Sequence, residues 1–309
     1  MPPRVRITDV SPRDGLQNEP IGDHGPIPTE RKADLVRAAA ATSVDEVELT
    51  SFVSPKWVPQ LGDAAHLCAL IADEARAWTC TRSALVPNER GLDALLEANA
   101  RAGFPLINKL SVFTAASETF SRRNTNATID ETLERFEPVA RRAADAGLAL
   151  RGYISCAVAC PFEGPIEPEA VARVAASLAA LGIHDIDLGD TIGKATPDSI
   201  TAVINTVAAH LGPPGDADDP RLTIHLHDTF GGAAACVEAA IALGVRSFDA
   251  AFGGLGGCPY ASTDTTRAPG NIAMRTLLDT IEHAGCAHTV DRAAAAHATE
   301  LALDIRSTA

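Results

Sequence analysis

The sequence predicts an α/β fold, a (β/α)8 TIM barrel with a short C-terminal helical extension. Short β-branched runs alternate with alanine-rich helical ones along most of the 309 residues, the pattern of parallel strands joined by crossover helices. Eight such units can be counted, the number that closes a barrel. The residues best suited to chemistry fall at the ends of the strand runs or just after them, where such barrels carry their active groups. On this reading the barrel occupies 1–285 and the extension 286–309.

The strand runs are 5–9, 47–51, 78–82, 106–113, 150–155, 186–189, 222–227 and 246–251. Helices are expected near 29–41, 63–75, 91–102, 129–146, 168–181, 197–211, 233–243 and 272–284, with a further alanine-rich helix at 291–305 capping or flanking the barrel. Thr128 with Glu131 forms a capping box, and Gly147 stands where that helix should end, with Leu133, Phe136 and Ala140 on one face. Pro138 lies inside it and predicts a break into two shorter pieces. Thr196 followed by Pro197 reads as an N-cap with proline in the first turn. The Pro- and Asp-rich stretch 212–220 is the clearest surface loop.

Composition narrows the function. The formal net charge of −14 argues against broad affinity for nucleic acid or an anionic membrane, so an anionic substrate must meet locally placed cations. No run approaches the roughly 20 apolar residues that span a bilayer. The first residues lack a signal-peptide pattern, so a soluble cytoplasmic protein is expected. The seven cysteines are scattered without zinc-site spacing and read mostly as buried small hydrophobes.

His225-Leu226-His227 ends the seventh strand run. Side chains two apart on a strand share a face, so the pair suits a divalent ion. On its own it would equally suit a solvated edge or a hydrogen-bonded core. Arg13 and Asp14 follow the first strand run, Glu48 and Ser51 close the second, Asp190 follows the sixth, and a glycine-rich loop, 253–259, follows the eighth. Trp57 reads as loop packing, and Lys56 and Lys109 as cations that could meet phosphates.

Motifs 11–18, 50–60, 188–193, 225–229 and 254–260 resemble, in order, those of the 3-hydroxy-3-methylglutaryl-CoA lyase family, metal-dependent barrels that break carbon–carbon bonds beside thioesters. The resemblance runs from about residue 5 to about residue 278. It implies cleavage of a 3-hydroxy-3-methylglutaryl-CoA-type thioester to acetyl-CoA and acetoacetate or a related keto acid. It also implies Mg²⁺ or Mn²⁺ held by Asp14, His225, His227 and Asn271, with Arg13, Asp14, Glu48, His225 and Cys258 catalytic. Arg13, Ser51, Asp190 and Arg275 are implied at the substrate, an acyl-CoA. A homodimer is the expectation by resemblance. Read as residues alone, Asp14 also fits a turn-capping carboxylate and Asn271 a helix N-cap.

The chain departs from the family at Arg275, commonly glutamate, at Asp187, commonly serine, and in a longer loop from Cys258 to Asn271 that contains Arg267. These leave a different acyl group open, with Arg267 or Arg275 meeting it. Arg306 falls where the family has a basic residue in contact with CoA, and the chain stops shortly after, without the cysteine-bearing tail of some relatives. Two rivals stand beside the lyase reading: an acetyl-CoA condensing synthase of the same superfamily and a silent acyl-CoA-binding barrel.

Overall fold

In strands β1 (Arg6–Asp9), β2 (Glu46–Ser51), β3 (Thr81–Leu85), β4 (Lys109–Ala115) and β5 (Ala149–Ser155), apolar side chains alternate with polar ones, and the polar set turns inward. The structure, a computed structural model, describes residues 2–22, 25–257 and 270–308. A small antiparallel hairpin follows, β6 (Ala159–Cys160) with β7 (Gly164–Pro165). Then come β8 (Asp185–Asp190), β9 (Leu222–Leu226) and β10 (Ser247–Ala250). The eight long strands close into a barrel in the order β1-β10-β9-β8-β5-β4-β3-β2, with parallel pairing throughout.

The apolar positions, among them Ile7, Leu49, Val112, Ile154, Leu188 and Ile224, are fully buried in the core between barrel and helices. That layer supplies the hydrophobic stabilisation, since apolar area removed from water dominates the gain. The helices that cover it are α1 (Thr29–Ala40), α2 (Ala64–Ala75), α3 (Glu89–Ala102), α5 (Ile129–Asp145), α6 (Pro168–Ala180), α7 (Pro197–Leu211), α8 (Ala233–Ala242) and α9 (Met274–His283). α10 (Arg292–Thr308) lies beside α1, where Arg31 pairs with Asp304 at 2.5 Å. Among the described residues no helix is long and apolar enough to cross a membrane, and the six described cysteines are buried.

Three expectations are corrected. α5 runs unbroken through Pro138 for 17 residues, because the packing of Phe136, Val139 and Ala140 outweighs one lost hydrogen bond. Its capping box forms as expected, with Thr128 Oγ1 accepting from Glu131 N at 3.0 Å and Glu131 accepting from Thr128 N at 2.7 Å. β3 begins later than the run 78–82: Trp78 and Cys80 lie before it, their carbonyls accepting from Arg82 Nη1. A short helix, α4 (Glu118–Thr125), interrupts what reads as a loop, started by the Ser117 side chain accepting from Phe120 N and ended by Asn126 in the left-handed region at φ 52°. Ser117 followed by Glu118 was the available signal.

Candidate active site

At the exit of β1 the chain takes one π-helical turn, Ser11–Gly15, closed by Gly15 N donating to Val10 O at 3.0 Å. Such turns re-aim side chains at functional sites. This one directs Arg13 and Asp14 together toward the barrel axis. Arg13 is buried, its Nε donating to Glu48 Oε2 at 2.5 Å and its Nη1 to Asp14 Oδ1 at 2.8 Å, with its guanidinium 5.2 Å from the Tyr153 ring. One Asp14 oxygen is thereby occupied. The other, Oδ2, lies 3.7 Å from His227 Nε2 and 4.0 Å from His225 Nε2.

The two imidazoles come from the inward face of β9 and the residue just beyond it, their Nε2 atoms 3.3 Å apart. Asn271 reaches them through a short antiparallel bridge with His227, supported by Asp228 N donating to Gly270 O at 2.9 Å and Ile272 N to Leu226 O at 2.9 Å. Its Nδ2 donates to Asp14 Oδ2 at 2.8 Å and to Leu255 O at 3.0 Å. Its Oδ1 is buried without a partner. This closeness demands glycine at 256, where φ is +105° and a Cβ would stand 2.6 Å from Asn271 Nδ2.

Asp14, His225 and His227 can hold a metal ion. The donor set is mixed carboxylate and imidazole, with the orphaned amide oxygen of Asn271 at hand, and suits a hard or borderline divalent cation. Spacings of 3.3–4.0 Å between donor atoms are near those of adjacent ligands around a small cation, roughly 3 Å for bonds near 2.1 Å. Two Nε2 atoms 3.3 Å apart are close enough to share a proton or a cation.

Electrostatics support that reading. Burial alone would raise Asp14, but the Arg13 charge and the two imidazoles hold it well below the usual carboxylate range. Burial opposes charge on Arg13, yet Glu48 and Asp14 keep its guanidinium fully protonated. Burial pushes Glu48 up against the pull of Arg13. His225 is raised: desolvation works against the cation, while Asp249, 3.1 Å from Nδ1, and Asp14 favour it.

A cavity of about 520 Å³ opens over these groups. Ser51 lines it, its Oγ buried without a partner. So do Arg123, Asn124 and Thr125 of α4, which sequence reasoning passed over because α4 itself was missed, and Arg135 of α5, one of the two cations among them. Trp57 does not pack its loop; it is 73% exposed at the cavity rim.

Other expected residues stand elsewhere. The Asp190 carboxylate accepts from Lys194 N at 3.0 Å and Ala195 N at 2.8 Å, clasping its own loop instead of lining the cavity. Arg275, on the outer face of α9, is 89% exposed, 4.0 Å from Asp279, and does not line the cavity. Lys109 is no surface cation: it is buried in the barrel on Glu46 at 2.9 Å and Asp185 at 2.6 Å. Arg306 donates to Gly254 O at 2.7 Å, tying α10 to the glycine loop. Cys258 and Arg267 lie outside the described residues.

Asp249 and Tyr153 escaped sequence reasoning. Both sit on inward strand positions next to His225 or Arg13, and their partners come from strands distant in the chain.

A closed parallel barrel whose C-terminal mouth gathers a buried arginine and a cation-ready Asp/His/His/Asn group belongs to the metal-assisted barrel enzymes. Within that class the chain belongs to the HMGL-like family, whose model matches residues 4–301. It is 43% identical over 293 residues to the hydroxymethylglutaryl-CoA lyase of Pseudomonas mevalonii, covering 94% of this chain and 89% of that protein. The crystal structure of the HMG-CoA lyase from Brucella melitensis superposes with a TM-score of 0.86 at 38% identity, covering 99% of both chains. An HMG-CoA lyase from Acinetobacter baumannii, solved with coenzyme A and 3-methylmalate, gives a TM-score of 0.83 at 31% identity over 98% of this chain and 92% of that one.

Proposed function

We propose that this protein is a carbon–carbon lyase that splits a 3-hydroxy-3-methylglutaryl-CoA-type thioester into acetyl-CoA and acetoacetate. The observation that carries the reading is the convergence of Asp14, His225, His227 and the orphaned Asn271 Oδ1 beside buried Arg13 under a cavity of about 520 Å³. Those four would hold Mg²⁺ or Mn²⁺, whose chemistry there is Lewis-acid polarisation of the tertiary alcohol.

The hydroxyl proton leaves, the C–C bond breaks, and its electron pair passes into the thioester as an enolate. Arg13 stabilises that enolate oxygen as a fixed cation in a water-poor site, and Glu48, at 2.5 Å, fixes the direction in which the guanidinium points. His225 and Asp14 flank the hydroxyl as it loses its proton, and a His225 nitrogen that held the ion would not also serve as the free base. Cys258, which follows β10 in the sequence, protonates the carbanion carbon to give the acetyl group. Ser51 orients the acyl portion, while Arg123 and Arg135 face the phosphates of CoA, supplying local cations in a chain of net charge −14. Residues 286–309 serve as the extension that steadies the glycine loop through Arg306. The protein works in the cytoplasm as a homodimer.

The neighbour bound to 3-methylmalate makes a shorter hydroxyacyl thioester the second substrate to try. The test is a panel of 3-hydroxyacyl-CoA thioesters, with acetyl-CoA release followed with and without chelator. Hydroxymethylglutaryl-CoA should be cleaved at about 10⁴ M⁻¹s⁻¹ or faster, stopping with EDTA and returning with Mg²⁺ or Mn²⁺. No acetyl-CoA from any member of the panel would end the proposal.

A further inference from the structure

Asp249 stands one strand over from His225, placed there by the register in which Phe248 pairs with Ile224. It is 1% exposed. Its Oδ2 lies 3.1 Å from His225 Nδ1 and accepts from the Tyr153 hydroxyl at 3.3 Å, and its Oδ1 accepts from Arg151 Nη1 at 3.2 Å. The carboxylate is thus held at both ends and cannot swing away from the imidazole.

We propose that Asp249 is a positioning residue: by accepting from Nδ1–H it holds His225 in the tautomer whose Nε2 lone pair faces Asp14 and His227. A neutral imidazole carries one ring proton, so the acceptor beside one nitrogen decides what the other can do. With a carboxylate at Nδ1, Nε2 is left as the donor of a lone pair. An outer carboxylate also fixes the ring plane and makes the imidazole more basic toward a cation. The two histidines differ in this respect. His227 Nδ1 is buried without a hydrogen-bond partner, so His225 alone is oriented through its far nitrogen. The second buried acidic group, Asp187 with His225 and Asp249, lies on the side of His225 away from Asp14 and includes Arg151 within 3.8 Å of Asp187. A guanidinium at that distance makes it a support for the imidazole and not a second cation site.

This inference rests on the metal-dependent reading above, and its test separates the two. The Asp249→Asn variant keeps the shape but offers an N–H to His225, favouring the opposite tautomer. Mn²⁺ affinity, measured by electron paramagnetic resonance titration, should fall about 10–100-fold, with kcat/KM falling alongside it and the circular dichroism spectrum unchanged. Affinity within twofold of wild type would overturn the proposal. The second measurement needs neither metal nor variant: ¹⁵N spectroscopy of the metal-free wild-type chain, at a pH where His225 is neutral, should find its proton on Nδ1. A proton on Nε2 would overturn the proposal whatever the variant does. Absence of Mn²⁺ binding by wild type would sink the metal reading, while the ¹⁵N result would still decide the role of Asp249.

Discussion

Two sets of buried charges lie on the barrel axis, one residue pair apart along the same strands, and they are finished differently. The deeper set is closed around one guanidinium. Arg151 is fully buried and bonds to Asp185 at 3.0 Å, Asp249 at 3.2 Å, Thr8 at 3.2 Å and Glu46 Oε2 at 3.4 Å, an oxygen that Lys109 and Arg6 share, so that Glu46 Oε1 and Arg6 Nε are left over without converging on Arg151. The shallower set is open. Asn271 Oδ1, Ser51 Oγ and His227 Nδ1 have no partner, and the two imidazole Nε2 atoms face each other at 3.3 Å. Burial and charge are common to both, so neither marks a site. What separates them is unspent bonding capacity converging on one point, since a buried polar group without a partner is costly unless something else is to fill it.

The largest expected effect separates the two sets by what their arginines do. Arg13→Ala should lower kcat/KM about 10²–10³-fold or more, the loss typical of removing a fixed stabiliser of developing charge, while cooperative unfolding persists. Arg151→Met should act first on stability. Removing one partner from a buried ionic network leaves Glu46 and Asp185 short of positive charge, at a cost of about 3–5 kcal/mol, read in a urea melt. If Arg151→Met proved as stable as wild type, the deeper layer would not be the structural plug that its bonding implies.

The sequence made the open set more legible than the closed one, for a physical reason. His225 and His227 are two apart on one strand, and Arg13 and Asp14 are adjacent, so local periodicity alone brings each pair together. Asn271 and Glu48 needed the family resemblance, because a bridge and a register that no local pattern encodes bring them in. Arg151 and Asp249 were invisible. Barrels of this kind usually fill their interior with branched apolar residues, whereas this one turns its polar stripe inward and its apolar stripe toward the helices. Asp190 shows another limit of such reading: a strand-end carboxylate placed at the substrate by resemblance has both oxygens accepting from the backbone of its own loop, which no local pattern announces.

The smallest effect tests the boundary between the sets, at Asp187. This residue stands two above Asp185 on β8, with both oxygens buried and lacking a donor, and the nearest cation is Arg151 Nη1 at 3.8 Å. Burial and the neighbouring Asp249 charge push it well above the usual carboxylate range, while Arg151 and His225 hold Asp249 below it against burial. A carboxyl raised by folding contributes stability that is intact below its unfolded value and is lost as pH climbs toward the folded one, because the unfolded chain then ionises and the folded chain does not. The Asp187→Asn variant is neutral in both states and escapes that loss. Its advantage over wild type should therefore widen as pH rises above the unfolded carboxyl range, by at most about 1.4 kcal/mol per pH unit, measured by urea denaturation at each pH. Its kcat/KM should stay within about threefold, since Asp187 does not line the cavity. Parallel stability curves for the two proteins would mean that Asp187 is ionised in the fold and draws on Arg151, which would place it with the closed set below.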